Sequence, residues 1–474
     1  MAIEEDLSQW EIASTGKMIS YAFGYIIINF LLGGAFLMIW YYYEVEIGVD
    51  VALMGIAFAI FAIWNMVNDP LVGYLTDRPM KWTKKYGLRA PWVVISAAPM
   101  LIFFLLLWIP PDPETTPEMT LFLWFIIMTC LFDTFFSIYN DHVYGGFTNQ
   151  FPSEYERRRA FAIATLLMGA IMTGMGVVGS ALIVYGDRSS FITVAIFYVI
   201  LLALFNIILF LGIKESDEMK QMFITAYEKA EKLGFFKTMK KAIGTKNFRV
   251  SLAGYTCWSV AITLVGVSGI FLWKDVWQLP LSYSILPLLV GLVAFLGAIP
   301  FWSNYARKHG FKKCYWTCMV LYGIGFLPSL FIYREYGFPL FYILIIIFGF
   351  IGALPYSGIV LMLMPVASDT YDEVSSRLEM RVDATLVGVR TFFFRVAFLI
   401  VAILIPIIHI ATAYNPDPMA LQTTLAQWGI RIHGQLLPAL ILIIMGLIFR
   451  KYYTLEGAEK EALVKKLREL DIYR

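Results

Sequence analysis

The sequence predicts an all-α membrane protein, with twelve transmembrane helices in two pseudo-symmetric six-helix bundles. The first observation behind this prediction is composition: 59% of the 474 residues are hydrophobic and only 15% are charged. The mean hydropathy of +0.70 is higher than a soluble domain needs, so the bilayer is the expected solvent. The second observation is a series of long apolar stretches, and the third is the distribution of positive charge between them.

Apolar stretches of membrane length recur twelve times, since a helical span needs about 20 predominantly apolar residues. They are numbered here as spans 1 to 12. The predicted spans cover residues 18–42, 51–75, 91–109, 120–146, 160–185, 190–213, 248–273, 281–302, 313–332, 339–366, 384–409 and 431–450.

Lysine and arginine crowd every second loop between these spans. The loops after spans 2, 4, 6, 8 and 10 are basic, whereas the intervening loops hold only Arg188, Lys274 and Arg334. The positive-inside rule then places both termini in the cytoplasm, which requires an even number of spans. The acidic start of the chain does not resemble a signal peptide. We therefore expect a multi-pass protein of the cell membrane.

The chain divides near its middle. Residues 214–246 form the longest polar stretch and are predicted to be a cytoplasmic linker between bundles at 1–213 and 247–450. Residues 451–474 are predicted to be an amphipathic cytoplasmic tail on the membrane surface. Short basic loops follow Pro70 and Pro300, at corresponding places in the two halves. Such a weak internal repeat is typical of secondary transporters.

Three polar residues interrupt span 2 on one helix face. Asn65, Asn68 and Asp69 are spaced i, i+3 and i+4, so their side chains project together. A carboxylate in lipid costs about 2.5–3.5 kcal/mol even on mild insertion scales, so Asp69 is expected to face a cavity or an ion. We predict a site for a small cation, or for a proton on Asp69. The alternative is a structural cap at the Pro70 break.

Several motifs resemble those of a known family. Gly73-x-x-x-Asp77-Arg78 resembles the loop signature of the major facilitator superfamily. Asn68-Asp69-Pro70, Arg89-Ala-Pro91-Trp92, Ser368-Asp369-Thr370-Tyr371-Asp372 and Arg390-Thr391-Phe392 are similar to motifs of the glycoside–pentoside–hexuronide:cation symporter family. The resemblance covers nearly the whole chain. It implies cation-coupled sugar symport by alternating access around a site near mid-membrane.

The resemblance also implies a cation site between spans 2 and 4. In the melibiose-type pattern, its positions read Asn65, Asn68, Asp69 and Cys130 in this chain, so one carboxylate and one hydroxyl are replaced. Sodium prefers hard oxygen ligands and negative charge, whereas a proton needs only Asp69. We therefore favour H⁺ as the coupling ion, with Na⁺ and uncoupled transport as alternatives.

The family's sugar site maps onto Asn29 in span 1 and Asp133 in span 4. Ser137 replaces the family's stacking aromatic, Arg395 replaces a lysine in span 11, and Thr391 shares the face of Arg395. An arginine also suits an anionic ligand such as a uronate. The alternatives are a structural Asp133–Arg395 pair and a helix–helix hydrogen bond at Asn29.

Charged residues at the inner ends of the spans are expected to form salt bridges that break when the halves rock. These candidate gate residues are Asp77, Arg78, Arg307, Asp369 and Asp372.

Two functions other than sugar transport also fit the sequence. One is a carrier of lysolipids or similar solutes, since vertebrate relatives with this architecture move lysolipids, and the other is a non-transporting sensor. An enzyme is not expected, because the sequence shows no Ser/His/Asp arrangement, no metal motif and no phosphate loop. We expect no cofactor and no nucleic-acid partner. The expected partners of a monomer are a sugar-like small molecule, a coupling cation and the bilayer.

Overall fold

The computed structural model describes residues 13–76, 80–151, 154–217, 219–220, 235–379 and 383–470, and all regular structure in these ranges is helical. Twelve helices within them are long and apolar enough to cross a membrane, which confirms the predicted fold class. The spans are Thr15–Glu46, Val51–Gly73, Ala90–Trp108, Glu118–Phe147, Tyr155–Leu182, Arg188–Gly212, Lys246–Val276, Leu281–His309, Phe311–Phe331, Leu340–Leu378, Thr385–Ala411 and Thr424–Tyr452.

Three span boundaries differ clearly from the sequence prediction, and one of them is the end of span 8, which lies at His309 instead of residue 302. Span 10 continues far past residue 366, to Leu378, and ends where Glu379 takes a left-handed conformation with φ of 55°. The polar segment around Asp369 is therefore helical rather than part of a loop. Span 12 begins at Thr424, where the Thr423 side chain accepts a hydrogen bond from the backbone of Ala426. Polar residues lower the local hydropathy, so the predicted span stops there although the helix continues.

Arg431 explains why the start of span 12 was hidden in the sequence. Its guanidinium is buried and donates hydrogen bonds to the carbonyl oxygens of Leu330 and Ile332, at 2.6 and 2.9 Å. The arginine thus satisfies backbone acceptors where span 9 ends, which offsets the cost of burying its charge.

Four short stretches of the spans are π-helical. They are Leu31–Ala35, Tyr42–Glu46, Leu272–Val276 and Ile432–Leu436. A π-helical turn widens the backbone locally, and such turns are frequent at functional sites.

The chain forms two compact units. Unit 1 comprises the described residues of Met1–Phe36, Val67–Val178 and Ser189–Glu231, and unit 2 those of Leu37–Met66, Gly179–Arg188 and Lys232–Arg474. In unit 1, spans 3 and 4 pack closely along their lengths. In unit 2, spans 8, 9, 10 and 12 enclose a core that includes Trp302, Tyr315 and Phe449.

Two shorter helices lie in the predicted polar segments. Phe235–Ile243 falls within the predicted linker, and Gly457–Glu469 falls within the predicted tail. The tail helix packs on span 10, with Leu467 fully buried and the Lys460 amine 2.7 Å from a carboxylate oxygen of Asp369. The tail is therefore anchored to protein in unit 2, where the sequence predicted only a membrane surface. The division into bundles at 1–213 and 247–450 stays a prediction.

Candidate functional site

Polar residues of spans 2 and 4 meet inside unit 1. The Ser137 hydroxyl donates to Oδ1 of Asp69 at 2.5 Å. The Asn68 amide donates to Oδ2 of Asp133 at 3.2 Å and to the Ser137 hydroxyl at 3.3 Å. These four residues are called the Asp69–Asp133 cluster below. Asp133 and Ser137 are only 2% and 1% exposed, and Asp69 is half-buried.

The spacing of these residues explains how the two helices form the cluster. Asp133 and Ser137 lie at i and i+4 in span 4, so both project from one helix face. Asn68 and Asp69 are adjacent in span 2, and both reach that face. Each helix therefore contributes one carboxylate and one uncharged polar group.

The cluster is rich in the atoms that bind hard cations. Its carboxylate and hydroxyl oxygens are ligand types that hard metal ions prefer. Burying two carboxylates costs free energy unless charge or hydrogen bonds compensate it, and a bound cation would supply the charge. The arrangement can thus hold a monovalent cation, or a proton on either carboxyl group.

Two further residues of the predicted cation site lie near the cluster along the chain. Cys130 is half-buried one turn before Asp133, and its thiol makes no hydrogen bond in the part of the chain described. Asn65 is buried one turn before Asn68, in the portion of span 2 that groups with unit 2. Their role in cation binding stays a prediction.

Asn29 is bound locally by its own helix and by span 4. Its amide donates to the carbonyl oxygen of Tyr25 at 2.8 Å and to the hydroxyl of Tyr144 at 3.3 Å. The two tyrosine rings meet edge to face with centroids 4.8 Å apart. This geometry matches the helix–helix hydrogen bond that the sequence offered as the alternative to sugar binding.

The predicted arginine of span 11 is deeply buried in unit 2. Arg395 is 3% exposed, and its guanidinium carbon lies 5.6 Å from the centre of the Phe394 ring. Thr391, one turn earlier, is half-buried. Arg390 is not among the site residues that the sequence predicts, and its guanidinium lies 3.9 Å from the centre of the Tyr255 ring. The Arg390-Thr391-Phe392 motif was the signal that marked this segment.

One of the predicted gate residues, Asp369, has a partner that the sequence did not suggest. Asp77 and Arg78 lie outside the described residues. Arg307 is exposed near the end of span 8 and makes no ion pair among the residues described. Asp369 pairs with Lys460 of the tail helix, and Asp372 is half-buried. The ion pair of Asp369 therefore joins span 10 to the tail within unit 2.

Sequence reasoning missed a second buried polar cluster, in unit 2. Glu44, His409 and His433 are connected by hydrogen bonds and are almost completely buried. Glu44 and His409 stand at the ends of predicted spans, where ionisable groups are expected to face water. The signal that could have found them is the presence of three ionisable residues near span ends on three different helices.

Comparison with known proteins identifies related transporters. The family model described as "MFS/sugar transport protein" matches residues 20–456. The chain is 26% identical to "Sodium-dependent lysophosphatidylcholine symporter 1" of Mus musculus over 282 residues, which cover 52% of this chain and 51% of the mouse protein. It is 33% identical to "Sodium-dependent lysophosphatidylcholine symporter 1-A" of Danio rerio over 101 residues, 21% of this chain and 18% of that protein. The chain thus spans about half the length of the mouse relative, and less of the fish one.

Solved structures of similar fold are also transporters. The inward-open xylose transporter XylE of E. coli superimposes with a TM-score of 0.61 at 13% identity, covering 94% of this chain and 98% of that one. The nucleoside transporter NupG gives a TM-score of 0.59 at 15% identity, covering 94% of this chain and all of that one. At these identities the likeness shows the fold alone. Together with the family match it confirms the superfamily part of the sequence resemblance.

Proposed function

The chain belongs to the MFS/sugar transport protein family, and from that premise we propose that it is a cation-coupled symporter working by alternating access. The observation that carries the coupling proposal is the Asp69–Asp133 cluster, in which half-buried Asp69 and buried Asp133 and Ser137 bring hard oxygen ligands together from two spans. Coupling requires the bound cation to favour the substrate-loaded occluded state.

Sodium is the coupling ion that this cluster favours first. The sequence predicts a proton instead, because it assigns only one carboxylate, Asp69, to the site. In unit 1, Asp133 adds a second carboxylate and Ser137 a hydroxyl oxygen beside Asp69, and the Asn68 amide nitrogen donates to both of these residues. Hard oxygen ligands and negative charge are what Na⁺ requires. The names of the mouse and zebrafish relatives, which include "sodium-dependent", support the same choice.

The proposed substrate is a lysophospholipid. Asp133 and Ser137, which the resemblance assigned to sugar, hydrogen-bond to the cation residues, and the Asn29 amide is bound by Tyr25 and Tyr144. Among the predicted substrate residues, Arg395 carries the charge that suits a lipid headgroup, because a guanidinium pairs well with phosphate. Lysophosphatidylcholine in the names of the relatives supports this choice.

A sugar is the second candidate substrate. Two observations favour it, namely the family description and the resemblance to glycoside–pentoside–hexuronide symporters in the sequence motifs. That narrower family remains a prediction. So do a monomeric state, residence in the cell membrane and cytoplasmic termini.

The test is uptake into proteoliposomes that hold the full-length protein. Radiolabelled lysophosphatidylcholine and a panel of sugars are supplied under an inward Na⁺ gradient or an inward H⁺ gradient. The cluster variants are Asp69→Asn and Asp133→Asn. The control is Glu118→Gln, which removes an exposed acidic group at the start of span 4, the span that holds Asp133.

We expect Na⁺-driven uptake of the lysolipid that both cluster variants lose and the control retains. Uptake driven by H⁺ alone would refute sodium coupling, and accumulation of a sugar instead would establish the second candidate. Uptake that is equal with and without either gradient would refute cation coupling.

A further inference from the structure

A second cluster of ionisable groups joins four spans within unit 2, and it shares no residue with the Asp69–Asp133 cluster of unit 1. Oε1 of Glu44 lies 2.6 Å from Nδ1 of His409, and Nε2 of His409 lies 3.1 Å from Nε2 of His433. The other ring nitrogen of His433, Nδ1, lies 2.6 Å from the Ser268 hydroxyl. Glu44 is 1% exposed and His433 is fully buried. The chain Glu44–His409–His433–Ser268 thus links spans 1, 11, 12 and 7.

The hydrogen atoms of this chain can be assigned from its two ends. The Ser268 hydroxyl has one hydrogen, which it donates to the carbonyl oxygen of Leu264 at 2.5 Å, because that oxygen can only accept. Ser268 must therefore accept from His433, whose Nδ1 carries a hydrogen. At the other end, Oε2 of Glu44 accepts from the indole nitrogen of Trp40 at 2.7 Å. This leaves Oε1 of Glu44 to interact with His409.

Only three placements of hydrogen satisfy every contact between these ends. The extra proton lies on Oε1 of Glu44, on His409 as an imidazolium, or on His433 as an imidazolium. In each case Glu44, His409 and His433 together carry no net charge. All three placements hold the same number of protons.

Removing that proton breaks one of the contacts. Neutral His409 has one ring hydrogen, so it can donate either to Glu44 or to His433 but not to both. If His409 donates to Glu44, the Nε2 lone pairs of His409 and His433 face each other at 3.1 Å. If it donates to His433 instead, its Nδ1 lone pair faces the Oε1 atom of the Glu44 carboxylate at 2.6 Å. The group would also carry a buried negative charge, which is costly away from water.

The other ionisable groups described around this cluster have hydrogen-bond partners of their own. Lys274 lies 2.7 Å from Oδ1 of Asp275, and the Tyr414 hydroxyl donates to Oδ2 of the same carboxylate at 2.9 Å. Glu46 accepts from the Tyr41 hydroxyl and from the backbone of Gly186. The Tyr414 ring stacks on His409 with centroids 4.4 Å apart, which shields the imidazole from water.

The backbone gives an independent indication of a functional site at the same place. Three of the four π-helical stretches among the described residues carry this cluster or its neighbours: Tyr42–Glu46 holds Glu44, Leu272–Val276 holds the Lys274–Asp275 pair, and Ile432–Leu436 holds His433. Such turns are uncommon and concentrate at functional sites.

We propose that Glu44, His409 and His433 form a proton-binding site that holds one proton, separate from the cation site of unit 1. Loss of the proton weakens the contact that fastens the end of span 1 to spans 11 and 12. The site therefore makes that contact sensitive to pH, whatever ion or substrate the protein carries.

The Glu44→Gln substitution is a sharp test of this proposal. The Trp40 indole requires an acceptor at the Oε2 position, so the amide nitrogen of the introduced side chain would face His409 and donate to its Nδ1. Every contact in this variant is then satisfied with no extra proton. Glu46→Gln is the matched control, because Glu46 is also buried and lies two residues away but accepts its hydrogen bonds from Tyr41 and Gly186.

The measurement is solid-state ¹⁵N NMR of the full-length protein in proteoliposomes, labelled at histidine. The chain has only four histidines, so single His→Gln variants assign the signals. The titration runs from about pH 5 to about pH 9, across the ordinary range of histidine. In the wild type and in Glu46→Gln we expect the signals of His409 and His433 to change together with the loss of one proton.

In Glu44→Gln we expect both rings to be neutral, with hydrogen on Nε2 of His409 and Nδ1 of His433, and no joint titration step. The proposal is overturned if wild-type His409 and His433 lose no proton together, or if Glu44→Gln titrates as the wild type does. If that variant does not fold, the wild type decides alone: a lone pair instead of a hydrogen on Nδ1 of His433 at neutral pH would refute the assignment.

Discussion

The Ser137 hydroxyl gives the most direct test of the proposed sodium site. In Ser137→Ala, Oδ1 of Asp69 loses a buried donor that lies 2.5 Å away, and the cluster loses one oxygen. A hydrogen bond to a charged group contributes roughly 1.5–3 kcal/mol. Only the part of this free energy that the ion-bound state gains over the ion-free state changes the affinity, so at about 1.4 kcal/mol per tenfold change a loss of roughly 10- to 150-fold is the upper bound. Groups that orient metal ligands give a similar range, about 10- to 100-fold.

We expect Ser137→Ala to raise the half-saturating Na⁺ concentration about 10- to 100-fold. Thermal unfolding of the purified protein over a range of Na⁺ concentrations, at constant ionic strength, measures this without any substrate, because an ion that binds only the folded state raises the melting temperature. The matched control is Thr134→Val. The Thr134 hydroxyl lies on the same helix but donates to the Cys130 carbonyl at 2.8 Å, outside the cluster.

The control should leave the Na⁺ midpoint close to that of the wild type. If Ser137→Ala moves the midpoint no further than Thr134→Val does, the Asp69–Asp133 cluster does not bind sodium. A sodium-dependent shift that is missing even in the wild type would refute the site directly.

Three further predictions concern stability. A Cβ on Gly323 would lie 2.6 Å from the Ala439 carbonyl oxygen, so Gly323→Ala should destabilise the protein by about 1–3 kcal/mol. The control is Gly325→Ala, whose nearest contact is at 3.4 Å and which should melt close to the wild type. Equal melting temperatures of the two variants would contradict the close approach of spans 9 and 12. Burial raises the pKa of Glu215, which lies after span 6 and accepts from the backbone of Arg89. Its stabilising contribution is therefore complete below the unfolded-state pKa of about 4.3 and is lost as the pH rises through the folded-state pKa. Glu215→Gln should flatten the fall in melting temperature from about pH 4 to 7. A pH dependence of the melting temperature equal to that of the wild type would contradict this. Lys460→Gln should cost only about 0.2–1 kcal/mol, because the amine is partly exposed, but it should speed hydrogen exchange in the tail helix; unchanged exchange would show that the ion pair does not hold the tail.

The sequence was sufficient for the twelve spans, and the structure shows why some of their ends were not predictable. A helix in lipid satisfies its own backbone, so apolar length alone identifies it. The ends depend on other parts of the chain. Span 12 can start at Thr424 because Arg431 reaches carbonyl oxygens at the end of span 9, and such a partner is invisible in a hydropathy window.

The candidate site divides in the same way. The cost of a carboxylate at membrane depth identified Asp69 from the sequence alone, and the family resemblance assigned Asp133 and Ser137 to the substrate site. Only the tertiary structure decided that these residues share one hydrogen-bonded cluster, which changes the expected ion from a proton to sodium. It also decided that Asn29 binds Tyr25 and Tyr144.

Composition and periodicity by themselves determined that the chain is a twelve-span helical membrane protein with an ionisable site in span 2, because burial in lipid constrains each helix independently of the others. The pairing of Glu44 with His409, 365 residues apart, and the contact of His409 with His433 were decided only by the tertiary structure. The charge of a buried ionisable group depends on which donors and acceptors face it, and helices from distant parts of the chain supply those groups.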